Sequence, residues 1–245
     1  MWRAVLVLAL GALSILGVTP PVEAQARELG DPFEPELQAR DVALDLHAGT
    51  LAPLLVGAGM RVSMPGQFVF GVLAGGVPSA YADVFGGAAE AYGAGQGVEE
   101  LVSRVLGGAF VLRVEAGFRP VPHAGLELLA HYSALITDPT VTTAAIDEIA
   151  GQPLPWDGRT SLHLNGVLHG FGGELGWALT PVSGLVIRIS VGLTYFAAAA
   201  VRLDVPQTMR VAGGPVEQVE SRIASTFTTY GFVPYASVLA GWRIE

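Results

Sequence analysis

The sequence predicts an all-β fold, a membrane-spanning antiparallel up-and-down β-barrel of eight strands with short helices in its long external loops. Three observations predict it. The first is the stretch LVIRISVGLTYFAAAAVRLDV, residues 185–205. Every second residue from Leu185 to Val205 is apolar, while the alternate set includes Arg188, Ser190, Gly192, Thr194, Arg202 and Asp204. A period of two marks a β-strand, because successive side chains point to opposite faces. The run far exceeds the usual strand of about five or six residues. A long strand that is apolar on one side and small or polar on the other suits a barrel facing lipid outside and polar groups inside.

The second observation is composition. The 245 residues are 51% hydrophobic and only 14% charged. Beyond Pro20, however, no apolar run reaches the ~20 residues of a membrane-spanning helix. The 32 glycines suit a crowded interior and tight turns. There is no cysteine, which excludes disulfides and thiolate chemistry, and every basic residue is Arg. A formal charge of −9 argues against nucleic acid as a partner.

The third observation is the ordering of turns and aromatics. Connections alternate between short and long, which puts the long ones on one side, as in barrels with periplasmic turns and external loops. Phe68, Phe118, Trp177 and Trp242 fall on the apolar face beside short turns or the chain end. Phe110, Tyr132, Phe171, Tyr195 and Tyr230 fall some way further along. With tilted strands the two sets stand roughly 20 Å apart, as two interfacial girdles do.

In chain order, residues 1–26 read as an export signal. Arg3 opens it, an apolar stretch follows, and Ala24 and Ala26 supply the small residues a signal peptidase needs. Residues 27–40, with Pro32, Pro35 and several acids, read as a mobile periplasmic lead-in. The barrel is expected over 41–245. Val42, Leu44, Leu46 and Ala48 oppose Asp45 and His47 in the first strand. After a break at 50–53, which is short for an external loop, Leu54, Val56, Ala58, Met60 and Val62 oppose Gly57, Gly59 and Arg61. The Pro65-Gly66 turn leads to Phe68, Phe70, Val72 and Ala74. A Gly- and Ala-rich insertion, 76–108, contains VEELVSRVL, which predicts a short amphipathic helix.

The next strand sets Phe110, Leu112, Val114, Ala116 and Phe118 outside and Arg113 and Glu115 inside, and RPVPH turns it. Leu126, Leu128, Ala130 and Tyr132 then oppose Glu127, Leu129 and His131. The insertion 137–160 includes TTAAIDEIA, a second candidate helix. In 161–179 the apolar residues sit on even positions up to Leu168 and on odd ones from Phe171, which predicts a β-bulge near His169-Gly170. A turn at PVSGL, the long strand, a loop over 206–220 and a last strand, FVPYASVLAGWRI, complete the chain. Pro234 removes one ladder donor and is expected at a bulge or a strand end.

The candidate functional residues are the inward charges Asp45, Arg61, Arg113, Glu115, Glu127, Glu174 and Arg188, with His131. Each needs a partner, since an unpaired buried charge costs several kcal/mol. A hydrogen-bonded plug is expected over a selectivity ring or proton path, because an eight-stranded interior is only wide enough for side chains. His163, Asn165 and His169 share one face but cannot ligate one metal, since six residues of strand span ~20 Å. No metal site and no cofactor is expected. Ser133 and Ser161 lack a nucleophile motif, so no enzymatic activity is expected. The glycines at 93, 95 and 97 do not form a phosphate-binding loop.

The signal segment, the eight alternating strands, the PVSGL and RPVPH turns and the last strand resemble the small outer-membrane β-barrels of Gram-negative bacteria. The resemblance covers 41–245 and rests on pattern. It implies outer-membrane lipid as surroundings, a monomer, and a structural or surface-interaction role through external loops. Other members are narrow channels, conduits for small apolar molecules, or lipid-modifying enzymes. Such barrels usually finish on an aromatic residue, whereas this chain ends Trp242-Arg243-Ile244-Glu245.

Overall fold

The computed structural model describes residues 42–91, 98–121, 124–150, 152–154, 156, 158–182, 184–207, 210, 214–229 and 231–244. The expected signal and lead-in, 1–40, and Tyr230 lie outside the described residues. The strands are β1 (Ala43–Ala52), β2 (Leu55–Ser63), β3 (Phe68–Gly76), β4 (Phe110–Val121), β5 (Leu126–Thr137), β6 (Thr140–Thr142), β7 (Ser161–Val182), β8 (Leu185–Leu203) and β9 (Phe232–Ile244). The helices are α1 (Ser79–Ala91), α2 (Val98–Leu106), α3 (Thr143–Ala150) and α4 (Pro215–Thr229).

All pairings are antiparallel. β1 meets β9, and β5 meets β7, so eight strands close into a barrel, and β6 is a short extension paired to the loop end of β7. The register gives the stagger. From Arg113, Cα partners lead one way through Leu73, Gly59, His47 and Gly241 to Val186 on β8. The other way they lead through Ser133 and Gly170 to Phe196, ten residues further along the same strand. A stagger of this size goes with a strand tilt of about 40°.

Outward positions carry the exposed apolar side chains, among them Leu46, Met60, Phe70, Val114, Leu128, Ile189, Leu193 and Val238. Short turns join β2 to β3, β4 to β5 and β7 to β8 at one end. Gly66 and Gly184 take left-handed φ values of 82° and 80° there, as such turns require. At the opposite end the β1–β2 connection is also short, as the sequence suggests, and Leu54 within it is buried.

Leu54 is covered because the helices close this mouth. α2 forms over VEELVSRVL as its periodicity predicts and buries Val102, Val105 and Leu106. α4 presents Val216, Val219, Ile223 and Phe227 as one apolar stripe. It opens on Pro215, which suits a first helical position, with Glu217 in its first turn. Together with Ala82 of α1 and Ile146 of α3, these residues share one hydrophobic core with the inward residues Leu51, Leu73, Val111, Leu135, Leu168 and Phe196. Side-chain bonds fasten this cap to the rim. Tyr81 Oη lies 2.7 Å from Thr50 Oγ1, Thr137 donates to the carbonyl of Val105, and Glu220 accepts from Leu203 N–H at 2.7 Å.

Two expectations are corrected. β7 keeps one phase throughout, its even positions inward and its odd positions outward. Its apolar residues change parity because Leu162, Leu164 and Leu168 face the cap core, while Phe171 and Trp177 face outward. The bulge lies opposite, in β8. His169 pairs with Ala198 and Gly170 with Phe196, which leaves Ala197 over. Beyond it β8 changes face, so Leu203 and Val205 enter the core and Arg202 turns outward, the reverse of an uninterrupted period of two.

Candidate functional site

The candidate site is the inward charge network near the turn end. Register builds it. One ladder row runs Arg61, Gly71, Glu115, His131, Gly172, Thr194, and the next contains Leu129, Glu174, Gly192 and Tyr235. Large and absent side chains alternate for a steric reason. A Cβ on Gly71 would stand 2.8 Å from Glu115 Oε1, and one on Gly192 2.5 Å from the Tyr235 hydroxyl. The glycines are the space into which neighbouring polar side chains lie.

Six of the eight expected residues come together. Arg61 pairs with Glu115 and, through Nη1, with Glu127 Oε2 at 3.2 Å. Arg113 pairs with Glu174 and approaches Glu115 Oε2 at 3.4 Å through Nε. Arg188 donates to Glu127 Oε2 at 2.6 Å and also pairs with Glu174. His131 sits at the margin, Nε2 at 2.9 Å from Thr194 Oγ1 and its ring edge-on to Tyr235. Asp45 is elsewhere. It accepts from Arg243 on the neighbouring β9, at 2.8 Å from Nε and 3.1 Å from Nη2.

Sequence reading missed three members. Arg119, assigned to a turn, continues the inward phase of β4 and donates to Glu127 Oε1 from Nε at 2.9 Å and Nη2 at 2.8 Å. Tyr235 donates to Glu174 at 2.7 Å and accepts from Arg113 at 2.8 Å, and Arg243 holds Asp45. The signal was present: Tyr235 and Arg243 alternate with the outward residues of β9. The network thus sets four arginines against three glutamates. None of these seven residues exceeds 6% exposure, and Glu127 has none. Guanidinium groups fit this role because a planar fork can serve two carboxylates at once.

The expected girdle residues are placed as follows. Phe68 and Phe118 are direct partners across β3 and β4, and Trp177 and Trp242 are exposed near the same end. Tyr132, Phe171 and Tyr195 form a continuous row across β5, β7 and β8, which Phe232 extends onto β9. Phe110 is exposed at the start of β4. His163, Asn165 and His169 all lie on the outward face of β7. Ser133 faces inward, so the fold does not bring it to them. Among the described residues no group of three metal-ligating side chains is assembled.

Chemically, the network is a set of interlocked, buried ion pairs. With the apolar cap, it fills the interior in two layers, ionic toward the turns and hydrophobic toward the loops. No family model and no curated protein sequence matches the chain. Among solved structures it is similar to two crystal structures from Acinetobacter baumannii. CarO2 matches at 14% identity with a TM-score of 0.35, covering 83% of this chain and 98% of that one. CarO matches at 12% identity and 0.36, covering 84% and 98%. Likeness at this level transfers no residue role to this chain.

Proposed function

We propose that this chain is a monomeric, non-conducting barrel of a Gram-negative outer membrane, without enzymatic activity, that gives the envelope structure and presents a folded helical cap for surface interactions. The outward apolar band, with its two aromatic rows, supports placement in a bilayer. The reading of residues 1–26 as an export signal and 27–40 as a periplasmic lead-in fits that compartment. One observation carries the role: the interior is filled from both ends, by buried ion pairs below and by the cap core above.

The test is conductance. Purified protein inserted in planar bilayers is expected to pass no steady ionic current, and to migrate faster on a gel unheated than boiled. Stable, ion-selective channels in the unmodified protein would overturn this reading. A second reading is a narrow conduit for small apolar molecules. The apolar character of the side chains that fill the outer half of the interior, Leu73, Leu135, Leu168 and Phe196, favours it. Faster entry of a small hydrocarbon into cells making the protein would select it.

A further inference from the structure

The outward face of the barrel strands is almost free of charge. Among the described residues, Arg202 is the one charged side chain on it, and it is exposed. Its position is a consequence of the bulge at Ala197, without which it would face the lumen. The height is informative too. On the outward face of β7, Trp177 to Val167 is ten residues, about 25 Å of tilted strand and the height of an apolar membrane band. Within that band the one imidazole, His169, is satisfied locally, its Nδ1 at 2.6 Å from the Tyr132 hydroxyl.

The first polar row above the band is Asn165 beside its ladder partner Arg202. The next on β7 is His163, opposite Thr140 of β6. Arg202, Asn165, His163 and Thr140 are all exposed. A cation, an amide, an imidazole and a hydroxyl at headgroup height form a surface for phosphate and sugar hydroxyls. Two acids border it. Asp138 stands 3.8 Å from His163, and Asp204 lies past the end of β8 with its backbone N–H bonded to the His163 carbonyl.

We propose that this face of the β6–β7–β8 extension, with Arg202 at its lower border, binds the phosphorylated sugar headgroup of a glycolipid in the outer leaflet. The proposal rests on the outer-membrane reading above. Arg202 supplies the charge-assisted contact to the phosphate, and the amide and hydroxyl side chains above it meet the sugar. As the one charged side chain on the described outward strand face, Arg202 sets the preference for the phosphorylated lipid, and its confinement to one side of the barrel fixes where that lipid sits.

Native mass spectrometry of the detergent-solubilised full barrel, titrated with diphosphorylated lipid A or the same lipid stripped of phosphate, tests this. The expected result is retention of the phosphorylated form, with Arg202→Ala weakening it about tenfold. Arg202→Lys should restore part of the loss, and Arg104→Ala, on the exposed side of α2, should change nothing. Unheated gel mobility confirms that each variant is folded. Equal retention of both lipids, no retention of either, or indifference to Arg202→Ala would overturn the inference. Those outcomes leave the outer-membrane reading standing, whereas failure of the wild-type protein to insert into any bilayer would remove that reading itself.

Discussion

Arg188 on β8 reaches Glu127 on β5 across the intervening strand β7, Nε to Oε2 at 2.6 Å. The contact is one thread of a mesh, because Glu127 also holds Arg61 and Arg119 and Arg188 also holds Glu174. Arg188→Ala is therefore expected to destabilise the barrel by about 3–5 kcal/mol, the cost of breaking a buried pair. Urea unfolding in lipid vesicles, followed by tryptophan fluorescence, measures it. A charge-neutral double change of Arg188 and Glu127 should recover only part of that loss, since Arg119 then loses its carboxylate and Arg61 one of its two. Full recovery would mean the pair acts alone.

A second expectation concerns the two faces of the wall. Ile189→Arg and Leu128→Arg put a cation among exposed apolar side chains and should each cost roughly 2–4 kcal/mol near the midplane. The adjacent inward Ser190 bonds Ser237, so Ser190→Ala should cost only about 1 kcal/mol. The same unfolding measurement compares them. Equal losses would contradict the assignment of faces.

A third follows from the space that glycine leaves. At Gly192 a Cβ would stand 2.6 Å from Tyr235 Cζ and 2.7 Å from the Gly173 carbonyl oxygen. Gly192→Ala should destabilise by about 1–3 kcal/mol through overpacking, although Ala is the smallest possible addition. Shrinking Tyr235 in the same chain should relieve the ring contact and leave the backbone one.

Deletion of Ala197 is the fourth. It removes the one unpaired residue and leaves the other pairings between β7 and β8 in place, so the ladder runs uninterrupted while Leu203 stays inward under the cap and Arg202 stays outward. The expected outcome is a barrel that keeps its unheated gel mobility and whose α4 segment is cut no faster in limited proteolysis. Faster cutting of α4 would show that the cap depends on the local bend of the bulge and not only on the face that Leu203 takes.

Much of this was legible in the residues. Period-two alternation located the eight barrel strands, because one face meets an apolar surrounding and any lapse is visible. The inward charges were legible for the same reason. α2 was readable from the spacing of its apolar residues, whereas α1, built largely from Ala and Gly, has little contrast between faces. α4 carries a clear helical stripe but sits where a loop between strands is expected. The bulge was misplaced because a strand that passes from membrane to cap changes what lies on its inner side. Leu162, Leu164 and Leu168 look like a change of phase when only their surroundings change. Partners were not legible either: parity tells which side Asp45 faces, but only the closed register gives it Arg243.

That last pair has a consequence for how the barrel is finished. Asp45 and Arg243 belong to the first and last strands of the cylinder and are direct ladder partners across its seam. A slip of one residue in either strand moves that strand's whole side-chain set to the opposite face. At this seam such a slip would push a carboxylate or a guanidinium into hydrocarbon and orphan the other inside. The joint where the two ends of the sheet find each other therefore carries its own proofreading: one alignment neutralises both charges, and its neighbours strand one of them in oil.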